Sequence, residues 1–388
     1  MLRTIAAQPN IDLLVLFCSD FSVRSYQDVG FGAAVQWDTP LLEGYCSVVL
    51  PRFRDTTDPG PTRPIARGFF RHLRKGLNGA PFDAVWVHGY STVDTLHAML
   101  AAKALGIPVL VRSDSWLADR PRSWGTLLAK RAFFAVLNWL VAGVLVSGTR
   151  NADYWSFYLG RHKPLFMLPY AVDNGYFAER TAEAVTTRHA LLAEFDLEPG
   201  RPVILFASKL QERKLCRDLL EAFLQLSGIA TAPYLLIVGD GEMRQTLEKR
   251  ALESGSSNVR FAGFRNQGEL PQFFELSTVF VLPARHEPWG LVVNEAMAAG
   301  LPVVVTDDCG CAPDLVRNGE NGFVYPTGDV AALRSALESC LIPGRAKVMG
   351  ERSRELIARW SYEEDVAGLC RALATVAGAL GTEPEVAR

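Results

Sequence analysis

The sequence predicts an α/β fold with two open parallel sheets in tandem, facing each other across a cleft. Three observations carry this expectation. The chain has 388 residues, too many for one ordinary core and suited to two domains. In both halves short apolar runs of strand length alternate with longer helical patterns, as parallel strands covered by helices do. The alternation breaks once, in a polar helical stretch over residues 178–200 ending in Glu198-Pro-Gly-Arg-Pro202, and then restarts.

The elements follow in order. The first domain, residues 1–177, starts with a strand at Ile11–Phe17. Strands follow at Phe82–Val87, Pro108–Val111, Val144–Val146 and Leu165–Leu168, with helices over Thr92–Leu105 and about Ser123–Val141. Residues 178–200 read as a linker. The second domain, residues 201–360, repeats the pattern with strands Val203–Phe206, Tyr234–Val238, Val259–Phe261, Thr278–Pro283 and Leu301–Thr306. Helices are expected near Arg217–Leu226 and Glu242–Glu253. Residues 361–388 hold an amphipathic helix, about Tyr362–Thr375, expected to return across the cleft to the first domain, and then a tail.

Composition narrows the class. Hydrophobic residues make up 49% and charged residues 21%, values of a soluble globular chain. The net charge of −2 does not point to nucleic acid. The halves differ: residues 1–180 carry +5 and the remainder −7, so the first half is the one suited to an anionic surface. The seven cysteines are scattered and no signal peptide is evident, which leads to the expectation of a cytoplasmic protein, peripheral at most to the inner face of a membrane. Cys309 and Cys311 lie close, but no second Cys/His pair gives zinc spacing, so no metal is expected. The apolar stretch Ala132–Val146 has the length of a buried helix rather than a membrane span.

The most informative segment is Arg285-His-Glu-Pro-Trp-Gly-Leu-Val-Val-Asn-Glu-Ala-Met-Ala-Ala-Gly300. It sets Glu287 and Glu295 across a loop-to-helix junction between two strands. A ligand of such a sheet sits beyond the carboxyl ends of the strands. Carboxylates there can accept hydrogen bonds from ribose or sugar hydroxyls, and the free N–H groups of the helix start, at Trp289, Gly290 and Leu291, can face phosphate. Lys209 and Lys214 bracket the loop after Val203–Phe206, as charge-assisted partners of a diphosphate would. Gly239 and Gly241 follow the next strand and permit close backbone approach. Gly263 and Phe264 end the one after, where backbone groups could read a base edge. Each feature alone also suits a turn or a solvated loop; their joint place at the ends of one sheet's strands is the specific signal.

On these residues the chain resembles the GT-B glycosyltransferases of family 4. The matching pieces are Ser208-Lys209-Leu210 with Lys214, Val238-Gly-Asp-Gly241, Phe261-Ala-Gly-Phe264, Glu287-Pro-Trp-Gly-Leu291 with Glu295-Ala-Met-Ala-Ala-Gly300, and Asn318-Gly-Glu-Asn-Gly-Phe323. Pro169–Phe177 is similar to the family's domain-exit segment, and Arg359-Trp-Ser361 to its returning tail. The resemblance is strong in the second half and loose in the first. It implies two Rossmann-like domains and a retaining transferase that uses a nucleotide-sugar without a bound metal. It also implies a glycan or lipid-linked acceptor, in cell-surface polysaccharide or glycoconjugate synthesis. By this resemblance Lys209 and Lys214 hold the diphosphate, Glu295 the ribose hydroxyls, and Glu287 the donor sugar beside the reacting carbon. No cofactor is expected, the nucleotide-sugar being a substrate. Two departures stand out: the first basic position is often Arg and is here Lys209, and the Gly that commonly follows the second is here Leu215.

The first half supplies the expected acceptor side. His88, Arg112 and Asp114 end strands there, and Gly148 follows a third. Asp114 could orient an acceptor hydroxyl or take its proton; an Asp capping the next turn is an equal reading. His88 could contact a ligand or bond to backbone. Gly30-Phe-Gly32 and Trp37-Asp38 are expected to shape the acceptor pocket, and Arg63–Lys75, with Phe69, Phe70 and Leu73 among basic residues, is the candidate membrane tract. Family members open with a strand and a glycine-containing loop; this chain opens with Leu2-Arg-Thr-Ile-Ala-Ala7, similar to the helix that follows them, so the first strand is expected to be absent from this sequence, either through a start assigned too late or through a real loss. Two rival readings stay open: a sugar-nucleotide epimerase or hydrolase, and a non-catalytic nucleotide-sugar-binding subunit. A nicotinamide oxidoreductase is disfavoured, since no Gly-x-Gly-x-x-Gly follows a strand with an acidic residue at the required distance.

Overall fold

The computed structural model describes residues 1–20, 23, 25–28, 30–38, 40–53, 65–118, 124–227, 229 and 231–378. Two compact units emerge, the first Met1–Arg24, Leu41–Tyr170 and Tyr362–Arg388, the second Ser25–Pro40 and Ala171–Ser361. This differs from the expected division in two places. Residues 25–40 belong with the second unit. The stretch 171–200 is part of that unit, its first seven residues not belonging to the first domain and the rest not being a linker, because Phe177, Leu191, Leu192, Phe195 and Leu197 are buried in it.

In chain order the first unit begins with α1 (Leu2–Ala6) and β1 (Leu14–Phe17). The second unit then contributes a hairpin, β2 (Tyr26–Asp28) and β3 (Ala33–Val35). The first unit resumes with β4 (Cys46–Val49), α2 (Phe69–Lys75), β5 (Val85–His88), α3 (Val93–Ala104), β6 (Val109–Arg112), α4 (Trp124–Leu140), β7 (Gly143–Val146), α5 (Thr149–Leu159) and β8 (Leu165–Met167). The helix expected from Ser123 thus begins at Trp124, Ser123 itself lying outside the described residues.

Strands β5 to β8 form one parallel sheet in sequence order, and β1 pairs with β4 in a separate parallel pair. The continuous apolar runs of β6 and β7 follow from burial on both faces. Val111, Val144 and Val146 pack with Met99, Phe134, Leu137, Tyr154 and Trp155 on one face. Leu110 and Leu145 point the other way and meet Ile5, Leu168, Leu369 and Ala372.

The second unit holds α6 (Asn174–Glu183), α7 (Arg188–Glu194), β9 (Val203–Ala207), α8 (Cys216–Leu224), β10 (Tyr234–Val238), α9 (Arg244–Glu253), β11 (Val259–Gly263), α10 (Leu270–Leu276), β12 (Val279–Leu282), α11 (Leu291–Ala298), β13 (Val303–Thr306), α12 (Ala312–Leu315), β14 (Gly322–Tyr325), α13 (Val330–Cys340) and α14 (Arg345–Ile357). The last helix, α15 (Tyr362–Ala377), lies on β7 and β8 of the first unit. A Cβ at Gly368 would sit 2.0 Å from the Met167 carbonyl oxygen, so α15 needs a glycine there.

The six strands β9 to β14 are parallel, in the order β11-β10-β9-β12-β13-β14. This is a doubly wound sheet whose winding reverses between β9 and β12. Such a switch point opens a crevice at the carboxyl ends of the strands, because the connections on its two sides lead to opposite faces.

Candidate functional site

The loops after β9, β10, β11 and β12 leave the same edge of the second unit's sheet, as all its strands are parallel. They carry Lys209 and Lys214, Gly239 and Gly241, Gly263 and Phe264, and Glu287. The loops flanking the reversal are joined directly. Lys214 Nζ is ion-paired with Glu287 Oε2, both side chains being buried, and Arg213 Nη1 lies 3.2 Å from the same oxygen. The Arg285 N–H donates to the Arg213 carbonyl at 2.7 Å. The β13 loop fixes Glu287 from the other side: its N–H donates to Asp308 O at 3.2 Å and its carbonyl accepts from Gly310 N at 2.9 Å. A Cβ at Gly310 would lie 1.8 Å from Pro288 O, so this approach requires glycine. Next to Glu287, His286 takes a left-handed backbone conformation, φ 51°, held by its N–H to Asp308 Oδ2 at 2.9 Å.

Lys209 has a different partner, one the sequence did not reveal. Its Nζ lies 2.8 and 2.9 Å from the two carboxylate oxygens of Asp28, on the β2–β3 hairpin. Asp28 also accepts from Gly30 N at 2.8 Å and Phe31 N at 3.0 Å. Desolvation acts to raise its pKa, but the Lys209 ammonium and these two N–H groups win and hold the carboxyl below the usual range. Phe31 packs edge-on against Phe264 at 4.7 Å, and Gln36 O and Asp38 Oδ2 accept from Asn266 and Gly268 at 2.8 and 3.0 Å. The hairpin with Gly30, Gly32, Trp37 and Asp38, expected on the acceptor side, thus packs with the loops after β9 and β11.

One donor-site expectation changes in kind. Gly239 and Gly241 are packing glycines: a Cβ on Gly239 would stand 1.9 Å from Ser208 O, and one on Gly241 would meet Leu210 O and Gly30 O at 2.7 and 2.8 Å. The Trp289 ring turns into the unit, giving Nε1–H to Asn294 Oδ1 at 2.9 Å and lying tilted against Trp360, with ring centroids 5.2 Å apart. Gly290 caps α11 in a left-handed conformation, φ 92°, which L side chains rarely adopt, and Leu291 opens the helix with its side chain exposed. Gly263, φ 71°, stays beside Arg244 at the end of β11.

Glu295 lies on the second turn of α11, buried, with Gln267 Nε2 donating to Oε1 at 3.2 Å. Burial pushes its carboxyl up to about 7 against the pull of Gln267. A protonated or half-protonated carboxyl in a site of this kind can accept hydroxyl donors by releasing its proton.

In the first unit, Arg112 is not an acceptor-side group. It is 1% exposed and donates through Nη2 to the carbonyls of Leu168 and Pro169 at 2.9 and 3.1 Å, with Tyr170 stacked at 4.7 Å from the guanidinium. Desolvation lowers its pKa, and Asp365 partly restores it. His88 faces Arg112 in register on β5 and stays solvent-accessible; local desolvation first, and the guanidinium second, keep it below the usual histidine range. Asp114 is exposed just past β6, and its charge acts on both His88 and Tyr170. Gly148 is the N-cap of α5, with extended backbone at φ 170°. The tract Arg63–Lys75 is described from residue 65 onward. There Phe69 and Leu73 are buried against α3, and Phe70 is left exposed. Its apolar side is therefore largely core.

Among the described residues no group of His, Cys, Asp or Glu is placed to hold a metal ion, and no helix is long and apolar enough to cross a membrane. All seven cysteines are free.

Comparison with known proteins places this site in a family context. The family model of glycosyl transferases group 1 matches residues 188–356, within the second unit. The lipopolysaccharide core biosynthesis glycosyltransferase LpsE of Rhizobium meliloti (strain 1021) is 36% identical over 175 residues, 44% of this chain and 49% of that protein. The chain thus spans about half the length of that relative. EpsD of Bacillus subtilis (strain 168), named a glycosyltransferase, is 30% identical over 372 residues, 91% of this chain and 94% of that protein. The solved structure of HepE from Anabaena in complex with UDP and glucose aligns with TM-score 0.69 at 18% identity, covering 98% of this chain and 95% of that one. At that identity the likeness shows the fold, the GT-B architecture of Rossmann-like α/β domains.

Proposed function

The chain belongs to the glycosyl transferases group 1, and on that premise we propose that it moves a sugar from a nucleoside diphosphate-sugar to a hydroxyl of a glycan or lipid-linked acceptor. The Lys214–Glu287 pair carries this reading. It brings a cation for the diphosphate and a carboxylate for the sugar together at the switch point of the β9–β14 sheet, where doubly wound sheets bind nucleotides. The UDP bound by the HepE protein of the same fold supports a nucleotide donor.

In this proposal the reaction is retaining, needs no bound metal and belongs to family 4. As the glycosidic bond breaks, negative charge grows on the leaving diphosphate. Lys209, Lys214 and Arg213, with the N–H groups at Gly290 and Leu291, stabilise that charge more in the transition state than in the ground state. Glu287, ion-paired with two cationic neighbours, binds the sugar and favours positive charge at the reacting carbon. Glu295 takes the ribose hydroxyls. Cell-surface polysaccharide or glycoconjugate synthesis on the cytoplasmic side suits this chemistry, and the seven free cysteines are consistent with that compartment.

The test is a donor screen by thermal shift with UDP-, GDP-, ADP- and dTDP-sugars, followed by turnover with and without EDTA. One donor should raise the melting temperature, because it binds only the folded state. Transfer that survives EDTA supports the reading. Release of free epimerised or hydrolysed sugar, with no acceptor dependence, would overturn it.

A further inference from the structure

We infer that α4 of the first unit is a docking face for an anionic lipid surface. This rests on a helix face that the proposed chemistry does not use. One side of α4 is ordinary core: Phe134, Leu137 and Leu140 are buried with α3 and α5. The opposite side faces solvent and is almost as apolar. Trp124, Leu128, Arg131, Ala135 and Trp139 recur at spacings of four and three residues and form one stripe, with Leu127, Ala132 and Val136 beside it. Trp124 is 78% and Trp139 61% exposed, and Leu127, Leu128 and Val136 are exposed as well. Exposed apolar side chains occur singly on most proteins; a whole helix face of them marks a surface that is covered in use.

The charges identify the cover. Helix α4 has no Asp or Glu, and the cation in its exposed stripe is Arg131. At its C-terminal end Lys103 Nζ lies 5.0 Å from the Trp139 ring, and Lys163 Nζ donates to the carbonyls of Asn138 and Val141 at 3.0 and 2.8 Å. Leu100, one turn before Lys103 on α3, is exposed too. An apolar stripe with a tryptophan near each end, Arg131 at its middle and Lys103 against Trp139 is the chemistry of a helix lying in a membrane interface. The rings sit at headgroup depth and the ammonium and guanidinium groups meet lipid phosphates. A second copy of the chain fits less well. A two-fold contact centred on this face would set the mid-helix Arg131 near its own copy, with no acid on α4 to offset it.

The experiment is co-sedimentation of the full chain with vesicles of phosphatidylcholine alone and of phosphatidylcholine with phosphatidylglycerol at about 3:1, at low and high NaCl. Binding to the anionic vesicles should exceed binding to the neutral ones and weaken with salt. The double variant Trp124→Glu/Trp139→Glu should bind about tenfold less, with unchanged melting temperature because both rings are already in solvent. The charge variant Lys103→Ser/Arg131→Ser should lose the salt-sensitive part. Equal vesicle binding by wild type and both variants would overturn the inference. So would no binding by wild type, including the case where sedimentation velocity shows a dimer that Trp124→Glu/Trp139→Glu dissociates.

Discussion

Asp28 holds the Lys209 ammonium with both carboxylate oxygens, at 2.8 and 2.9 Å, from a hairpin 181 residues away in sequence. A diphosphate brought to Lys209 would place about two negative charges within a few ångströms of that carboxylate. At an effective dielectric constant of about 20, unit charges 4 Å apart repel by about 4 kcal/mol. Asp28 and a bound diphosphate therefore compete for Lys209. Asp28→Asn should tighten nucleotide binding about three- to tenfold in isothermal titration, and Lys209→Ala should weaken it. Weaker binding by Asp28→Asn would mean that the carboxylate positions Lys209 rather than competing for it.

The Lys214–Glu287 pair is buried, so Lys214 left alone becomes an uncompensated charge, and Glu287 left alone keeps only the half-exposed Arg213 at 3.2 Å. Lys214→Met or Glu287→Gln should each cost about 3 kcal/mol in urea unfolding, while the double substitution should cost clearly less than the sum. Additive costs would show that the two side chains do not interact. In kinetics Glu287→Gln should lower kcat about a hundredfold or more, the scale of losing one charge-stabilising group.

Glu295 makes folding and binding pH-dependent. Its carboxyl, normally 4.5, is pushed up to about 7 by burial. The folded protein therefore keeps a proton that the unfolded chain releases, and this stabilising contribution is full below about pH 4.5 and is lost as pH rises through 7. Glu295→Gln should flatten that decline and gain on the order of 3 kcal/mol at pH 8. Asp365, pushed up to about 7 by burial against the pull of Arg112, leaves a second decline of the same sign in place. Ribose hydroxyls favour the ionised carboxylate, so nucleotide binding near pH 6.5 should release a proton. Titration calorimetry in buffers of different ionisation enthalpy measures it, and Glu295→Gln should abolish the buffer dependence.

Arg112 is a structural cation. Arg112→Met leaves the carbonyls of Leu168 and Pro169 and the Asp365 carboxyl without it. The expected outcome is a loss of about 3 kcal/mol in unfolding free energy with nucleotide affinity unchanged. A change in acceptor KM at full stability would restore its place on the acceptor side.

Much of the second unit was legible because its strands are buried on both faces. Val203–Phe206, Tyr234–Val238 and Leu301–Val305 are uninterrupted apolar runs, and placing a ligand beyond them needs only the rule that ligands gather at strand carboxyl ends. The β2–β3 hairpin was not legible. Its strands have three residues each, Tyr26-Gln-Asp28 is polar, and its partners Lys209, Phe264 and Gly268 are remote in sequence. Gly239 and Gly241 read as ligand-facing because a strand-end glycine has the same pattern whether a phosphate or a neighbouring carbonyl approaches it. Arg112 misled for a similar reason: the carbonyls that bury it come from the end of β8, 56 and 57 positions on. The exposed side of α4 was hidden because a helix apolar all round reads as core.

The central claim is that the β9/β12 switch point binds the donor's nucleoside diphosphate through Lys214. Titration calorimetry of UDP, GDP, ADP and dTDP into wild type and Lys214→Ala tests it most directly. The account predicts that one of the four binds wild type at 1:1 and loses at least about tenfold in affinity to Lys214→Ala, the scale of a charge-assisted hydrogen bond. Binding of none of them, or equal binding by both proteins, would contradict it.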